Sequence, residues 1–142
     1  MANNSQLLQG RLKKAGYSNT QARQLVFAAL DQPEPQTIRQ LTNRVSKQVD
    51  RASVYRTISL FEQLGIVHRI TIGWKYKLEL SDQFVAHHHH LSCLGCGKTI
   101  DIGDEKHIDD FIKEVAANFG FEPRRHQFEV DGYCSTCKNQ AH

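Results

Sequence analysis

Two Cys-x-x-Cys pairs, Cys93-Leu94-Gly95-Cys96 and Cys134-Ser135-Thr136-Cys137, constrain this chain more than any other feature. Each pair fits a tight turn that aims two thiolates at one ion, and two such turns close a tetrahedral four-cysteine zinc site. Residues 97–133 separate the pairs, more than a compact zinc ribbon needs, so a small subdomain must fold between them. A thioredoxin-type redox pair is the alternative, but no βαβ pattern surrounds either pair and two pairs are one too many. A closed site of this kind contributes roughly 10 kcal/mol to folding. The expectation is structural zinc held by Cys93, Cys96, Cys134 and Cys137.

No apolar run follows Met1 and no stretch approaches the length of about 18 apolar residues that a membrane span requires. The expected location is the cytoplasm, with no membrane partner, where thiols stay reduced and serve as ligands rather than disulfides. The net charge of +3 conceals an asymmetry. Residues 1–82 carry twelve Lys+Arg against six Asp+Glu, and residues 83–142 carry six against nine, a split of +6 and −3. Only the first half is suited to meet a polyanion such as double-stranded DNA. Two domains are expected, 1–82 and 83–142.

In the first half, apolar spacing predicts short helices up to Gly65. Leu7, Leu8 and Leu12 mark the first, and Thr20 can cap a second carrying Leu25, Val26, Ala29 and Leu30. Thr37 and Gln40 form a capping box for a third, with Ile38, Leu41 and Val45 on its buried face. Asp50 caps a fourth that Gly65 ends, in which Val54, Ile58, Phe61 and Leu64 face inward. Its opposite face presents Arg51, Ser53, Tyr55, Arg56 and Ser59, a mixture of small, cationic and aromatic side chains suited to entering a major groove. Residues 66–72 and 74–80 read as a hairpin turning at Gly73. Helices followed by such a hairpin make a winged helix-turn-helix, and pairing into a homodimer would raise the affinity of a unit that alone touches few phosphates.

In the second half, strands are expected near 91–102 and 125–133. Between them Ile108, Phe111, Ile112, Val115 and Phe119 form an amphipathic helix ended by Gly120. A helix on a small sheet leaves a face for pairing with a second subunit. The fold class is therefore α+β, a winged helix followed by a small α/β dimerisation domain with a four-cysteine zinc site. The run His87-His88-His89-His90 precedes the first cysteine pair. If extended, it sends His88 and His90 to one side and His87 and His89 to the other, so that one segment serves two ions. The remaining donors available are His68, Glu79, Asp82, Asp101, Glu105, Asp109 and His126, with His107 a spare at a helix start.

With these motifs in order, the chain resembles the ferric-uptake-regulator superfamily over nearly its full length, nearest its zinc-uptake-regulator branch. The matching stretches are Ser53-Val54-Tyr55-Arg56-Thr57, His87 to His90, Leu91-Ser92-Cys93-Leu94-Gly95-Cys96-Gly97-Lys98, His126, and Gly132-Tyr133-Cys134. The resemblance implies a dimeric metal-responsive repressor of metal-uptake genes that binds operator DNA. It implies Tyr55 and Arg56 as the DNA-contacting pair, with Lys14 and Arg23 as weaker matches beside Arg51 and Ser53. It implies His87, His89, Asp109 and His126 as a site inside the dimerisation domain, with Glu105 competing with Asp109 because of a one-residue insertion near His107. His88 and His90 match two ligands of a sensor site at the hinge.

Iron and peroxide sensors of the family often take a histidine from just before the third helix, where this chain has Glu34-Pro35-Gln36-Thr37. Zinc sensors draw a ligand from the start of the wing, where this chain has His68. Glu79 falls where they often place a cysteine, and Asp82 or Asp101 would make the site richer in oxygen. Softness favours zinc for a histidine-rich set, and iron or manganese as carboxylates are added. The expected regulatory ion is Zn2+, with Fe2+ or Mn2+ as alternatives in an iron-responsive repressor or a peroxide sensor. An architectural DNA-binding protein with purely structural metals is a further alternative. No H-E-x-x-H or comparable motif supplies the open zinc and general base of a hydrolase, so neither enzyme activity nor a small-molecule substrate is expected.

Overall fold

The computed structural model describes residues 2–140, and the chain divides into two compact units between Val85 and Ala86. The first contains α1 (Ala2–Lys14), α2 (Gln21–Leu30), α3 (Ile38–Val45), α4 (Arg51–Gln63), β1 (Val67–Ile72) and β2 (Lys75–Leu80). The second contains β3 (His90–Cys93), β4 (Thr99–Asp101), α5 (Lys106–Asn118) and β5 (Glu129–Gly132). The architecture is α+β.

The helix starts follow from their caps. Thr20 accepts a bond from the Arg23 backbone N–H, and Asp50 accepts one from that of Ser53. Thr37 and Gln40 close the full reciprocal capping box. These side chains satisfy N–H groups that the first helical turn leaves without partners. Leu8, Leu12, Val26, Phe27, Leu41, Val54, Ile58, Phe61, Ile66, Leu78 and Leu80 then meet in one core. Phe27 sets its ring edge-on to both Phe61 and Phe84, with centroids 6.3 and 5.1 Å away.

The hairpin runs in register from Val67 opposite Leu80 to Ile72 opposite Lys75, leaving Gly73 and Trp74 as a two-residue loop. Gly73 has φ +58°, a conformation that costs glycine little. Gln36 adds a single-residue third strand through reciprocal backbone bonds with Leu78, at 2.9 and 2.7 Å. Its buried amide donates to the Ala29 carbonyl at 2.7 Å, fixing α2 against the base of the wing.

The second unit differs from expectation in two respects. The stretch expected as one strand near 91–102 is two antiparallel strands, because the cysteine turn reverses the chain between them, and β5 occupies only part of 125–133. The sheet order is β4-β3-β5, with β3 antiparallel to β4 and parallel to β5. α5 forms where the apolar periodicity placed it, yet none of its residues is buried, and Phe111 and Phe119 stand 64% and 83% exposed. Among the described residues of this unit, the buried side chains are His89, His90, Ser92 and Cys93. A unit whose interior is imidazole, hydroxyl and thiol lacks the apolar burial that drives folding.

Candidate metal centres and nucleic-acid interface

The four cysteines converge as the two turns deliver them. The Cys93 backbone N–H donates to the Lys98 carbonyl and the Gly97 N–H returns to the Cys93 carbonyl, both at 2.8 Å, folding the first turn. In the second, Cys137 N–H donates to the Cys134 carbonyl at 3.0 Å. Leu94 N–H bonds the Gly132 carbonyl, and Cys134 N–H donates to Cys93 Sγ at 3.3 Å, so β3 and β5 hold the turns face to face. All four sulfurs lie within 4.8 Å of one another, and Cys96 and Cys134 Sγ are 3.9 Å apart. The edge of a tetrahedral zinc–thiolate site is about 3.8 Å, given the usual bond of about 2.3 Å.

The turns meet so closely that a Cβ on Gly95 would come within 2.9 Å of Cys137 Cβ. Backbone N–H groups of Cys134 and Cys96 draw the Cys93 thiol down to about 6, whereas the hydrogen bond between the Cys137 and Cys134 side chains pushes the Cys137 thiol up to about 12. Thiolates this close to one another repel. A divalent cation resolves this, and the donor set fits zinc.

The second cluster comprises His87, His89, Asp109 and His126, whose ligand atoms also lie within 4.8 Å of each other. Asp109 Oδ1 is the hub, 2.9 Å from His126 Nε2, 3.5 Å from His89 Nε2 and 3.6 Å from His87 Nε2. His87 and His126 present their Nε2 atoms to each other at 3.1 Å. Asp109 sits in the first turn of α5, and His126 lies three residues before β5. His89 is 1% exposed; its Nδ1 has no hydrogen-bond partner, and Nε2 comes no nearer than 3.5 Å to the carboxylate. Burial, then the neighbouring His87, pushes its imidazole below the ordinary value, favouring the neutral form that ligates metal. Burial alone would raise Asp109, but His126 and His87 outweigh it and keep the carboxylate ionised. A buried imidazole short of partners, facing an anion and two further imidazoles, fits a first-row divalent cation.

His88 and His90 take the other side of the same segment. Their rings meet edge-to-face with centroids 4.6 Å apart, while His87 and His89 meet separately at 4.8 Å. His88 Nδ1–H donates to the Ala86 carbonyl at 2.7 Å, so Nε2 is the ring nitrogen that could offer a lone pair to an ion. The expected alternation is present although only His90 is assigned to a strand.

In the first unit, His68 and Glu79 face each other across the wing, Nε2 to Oε1 at 2.7 Å. Asp82 is exposed, and Asp101, opposite His90 in the sheet, accepts from Gly103 N–H at 2.6 Å. The structure gathers Asp82, Asp101, Glu105 and His107 into none of the candidate metal clusters formed by the described residues. Phe128, not anticipated from sequence, meets the His89 ring in a T-shaped arrangement with centroids 5.7 Å apart. Its spacing two residues beyond His126 is the signal that would have found it, by the same parity that separates the histidines.

On α4 the outward face carries Arg51, Ser53, Tyr55, Arg56 and Ser59, with Tyr55 40% exposed. These side chains are preset. Ser53 Oγ donates to Asp50 at 2.6 Å and accepts from Arg56 at 3.0 Å, while the Arg51 guanidinium lies 5.5 Å from the Tyr55 ring centroid. Lys14 ends α1, and Arg23 lies 5.5 Å from the Tyr17 ring centroid near the start of α2.

The family model described as "Ferric uptake regulator family" matches residues 14–131. The ferric uptake regulation protein of Escherichia coli (strain K12) is 33% identical, covering 92% of this chain and 92% of that protein. That of Vibrio cholerae serotype O1 (strain ATCC 39541 / Classical Ogawa 395 / O395) is 35% identical over 98% of this chain and 94% of the relative. The solved structure of the Vibrio cholerae ferric uptake regulator is 31% identical and covers 89% of this chain and 98% of its own, with a TM-score of 0.72. With the match running from the end of α1 through β5, the chain belongs to the ferric uptake regulator family of metal-responsive transcription regulators.

Proposed function

We propose that this protein is a homodimeric repressor that binds double-stranded operator DNA when a regulatory ion is bound, and that the ion is zinc. The observation that carries the reading is the division of four consecutive histidines. His87 and His89 join Asp109 and His126, and His88 and His90 pair elsewhere. One segment thus offers two donor sets, and only the first is completed by carboxylate and imidazole from the same unit.

The second set is assigned to regulation, with His68 and Glu79 from the wing and His88 and His90 as its donors, and with Asp82 or Asp101 as alternates. A divalent cation, when bound, would supply a positive centre that the three imidazoles and the carboxylate hold jointly. His88 serves through Nε2, oriented by its bond to Ala86. His68 and Glu79 already hold one another in register. The unit carrying Tyr55 and Arg56 would be fixed in the orientation that reaches DNA, and by linkage DNA tightens ion binding equally. Zinc is preferred because three of the four donors are imidazoles. Cys93, Cys96, Cys134 and Cys137 hold a separate structural zinc.

The dimer reading draws on α5. Its exposed Phe111, Val115 and Phe119 form an apolar face that a second copy would bury. The names of the Escherichia coli and Vibrio cholerae relatives favour a second reading, in which the regulatory ion is iron. Titrating the protein, its cysteine site already filled, with Zn2+, Fe2+ and Mn2+ while following DNA binding by fluorescence anisotropy separates the two. Zinc activating at the lowest free concentration supports the proposal. Activation by Fe2+ at concentrations where zinc is inert refutes the choice of ion, and DNA binding unaffected by any of the three refutes the regulatory reading.

A further inference from the structure

We infer that Asn4 and Arg11 make α1 a strut between the end of the recognition helix and the segment leading to the second unit, and that occupancy of the regulatory ion reaches Tyr55 and Arg56 through it. The inference rests on the ion-dependent DNA-binding reading above and names positioning residues that carry the coupling. Residues 2–13, nearly all of α1, lie ahead of the segment that the family model matches.

Asn4, Leu8 and Arg11 follow one another at helical spacing and share a face of α1, with Leu8 buried in the core. Each of the two polar members reaches a backbone carbonyl far along the chain. Asn4 Nδ2 donates to the Phe84 carbonyl at 3.0 Å, and Arg11 Nη2 donates to the Leu64 carbonyl at 2.8 Å. Leu64 is the C-cap of α4, where carbonyls lack partners within the helix and a cation complements the helix dipole. Asparagine is a poorer helix former than alanine, so helix formation does not account for Asn4.

The segment that Asn4 grips is itself docked on the first unit. Ser81 N–H donates to the Ile66 carbonyl at 2.9 Å, and the N–H groups of Phe84 and Val85 both return to the Ser81 carbonyl, at 2.8 and 3.3 Å. Phe84 is buried against Phe27, and Val85 packs on the same core. Ser81 therefore fixes where the segment enters, and Asn4 fixes where it leaves, just before the boundary between Val85 and Ala86. The direction in which the chain departs toward His88 and His90 is set at Phe84. A rigid helix spans the roughly 10 Å of axis between Asn4 and Arg11, so a shift at Phe84 is passed to Leu64 and to α4.

The test uses the full-length protein with its cysteine site filled and a duplex selected by the parent from a random-sequence library. The quantity read is the ratio of DNA affinities with and without added Zn2+, or with Fe2+ or Mn2+ where that ion activates the parent. Any effect common to both states cancels in this ratio. Asn4→Ala and Arg11→Ala should each lower it by roughly fivefold or more. Asn4→Asp, which keeps the size but loses the donor, should do the same, whereas Asn4→Gln and Arg11→Lys should restore most of it. Because the two contacts are the ends of one strut, the double variant should be no worse than either single one. Alanine at position 4 favours the helix, so a lowered ratio there does not come from a melted α1.

A parental ratio in Asn4→Ala and Asn4→Asp, or a loss confined to only one end of α1, overturns the inference and leaves the ion-dependent reading intact. Affinities that fall equally with and without the ion also overturn it. If no ion changes the parent's own DNA affinity, the regulatory reading fails and the inference with it.

Discussion

His126 Nε2 stands 2.9 Å from Asp109 Oδ1, joining the segment before β5 to the first turn of α5 through a carboxylate that also faces His87 and His89. Asp109→Ala should leave three imidazoles crowded around no anion. The second ion should be lost while the cysteine zinc is kept, and α5 should fray. Metal analysis of the dialysed variant, with hydrogen exchange over residues 106–118, checks this; full retention of both ions would contradict it.

The cysteine site should be indispensable to the second unit. With so little apolar burial among its described residues, that unit has few packing contacts to reinforce the backbone ladders joining β3 to β4 and β5. Cys134→Ser should abolish zinc retention at this site and lower the unfolding temperature by well over ten degrees, a rough expectation for losing a structural zinc. Gly95→Ala should give a weaker form of the same defect, since its Cβ would crowd Cys137. Zinc content together with calorimetry distinguishes the two grades.

On α4, Arg56→Ala and Tyr55→Ala should each weaken operator binding by roughly tenfold to a hundredfold without changing the unfolding temperature appreciably, because both side chains face solvent. Anisotropy titrations at fixed salt measure the first effect and thermal melts the second.

Asp50 gives a pH dependence of definite sign. The Ser53 hydroxyl, then its backbone N–H, holds the Asp50 carboxyl below its ordinary value. A carboxyl lowered by folding adds stability that is present above its unfolded value, about 3.9, and lost as pH falls through the folded one. Asp50→Asn keeps a capping oxygen but no charge. The melting-temperature gap between parent and variant should be widest near neutrality and close below about pH 4. A gap that persists at low pH would assign the effect to shape rather than charge.

Much of the first unit was legible because its signals are local. A cap, an apolar stripe and a glycine at a turn act within a few residues, so Thr20, Thr37, Asp50 and Gly73 located α2, α3, α4 and the hairpin. The parity of the histidine run was legible for the same reason, since extended backbone alternates whether or not a strand is assigned. Partners distant in sequence were less accessible. Nothing local announces that β3 pairs in parallel with β5, or that Phe128 meets the His89 ring. The competition between Glu105 and Asp109 likewise turned on where α5 begins. Glu105 occupies its N-cap position and Asp109 the first turn, and of the two it is Asp109 that stands beside the histidines. The periodicity of α5 marked an apolar face correctly but not whether the unit itself would cover it.

The central claim is that neighbouring histidines serve different ions. The most direct measurement is zinc-dependent operator binding by His90→Ala and His89→Ala beside the parent protein, with the cysteine zinc verified in each. His90→Ala should lose the dependence of DNA affinity on added zinc while keeping the ion held by His87, His89, Asp109 and His126, and His89→Ala should lose that inner ion. A His90→Ala variant that still binds operator only when zinc is added, with the parent's midpoint, would contradict the account.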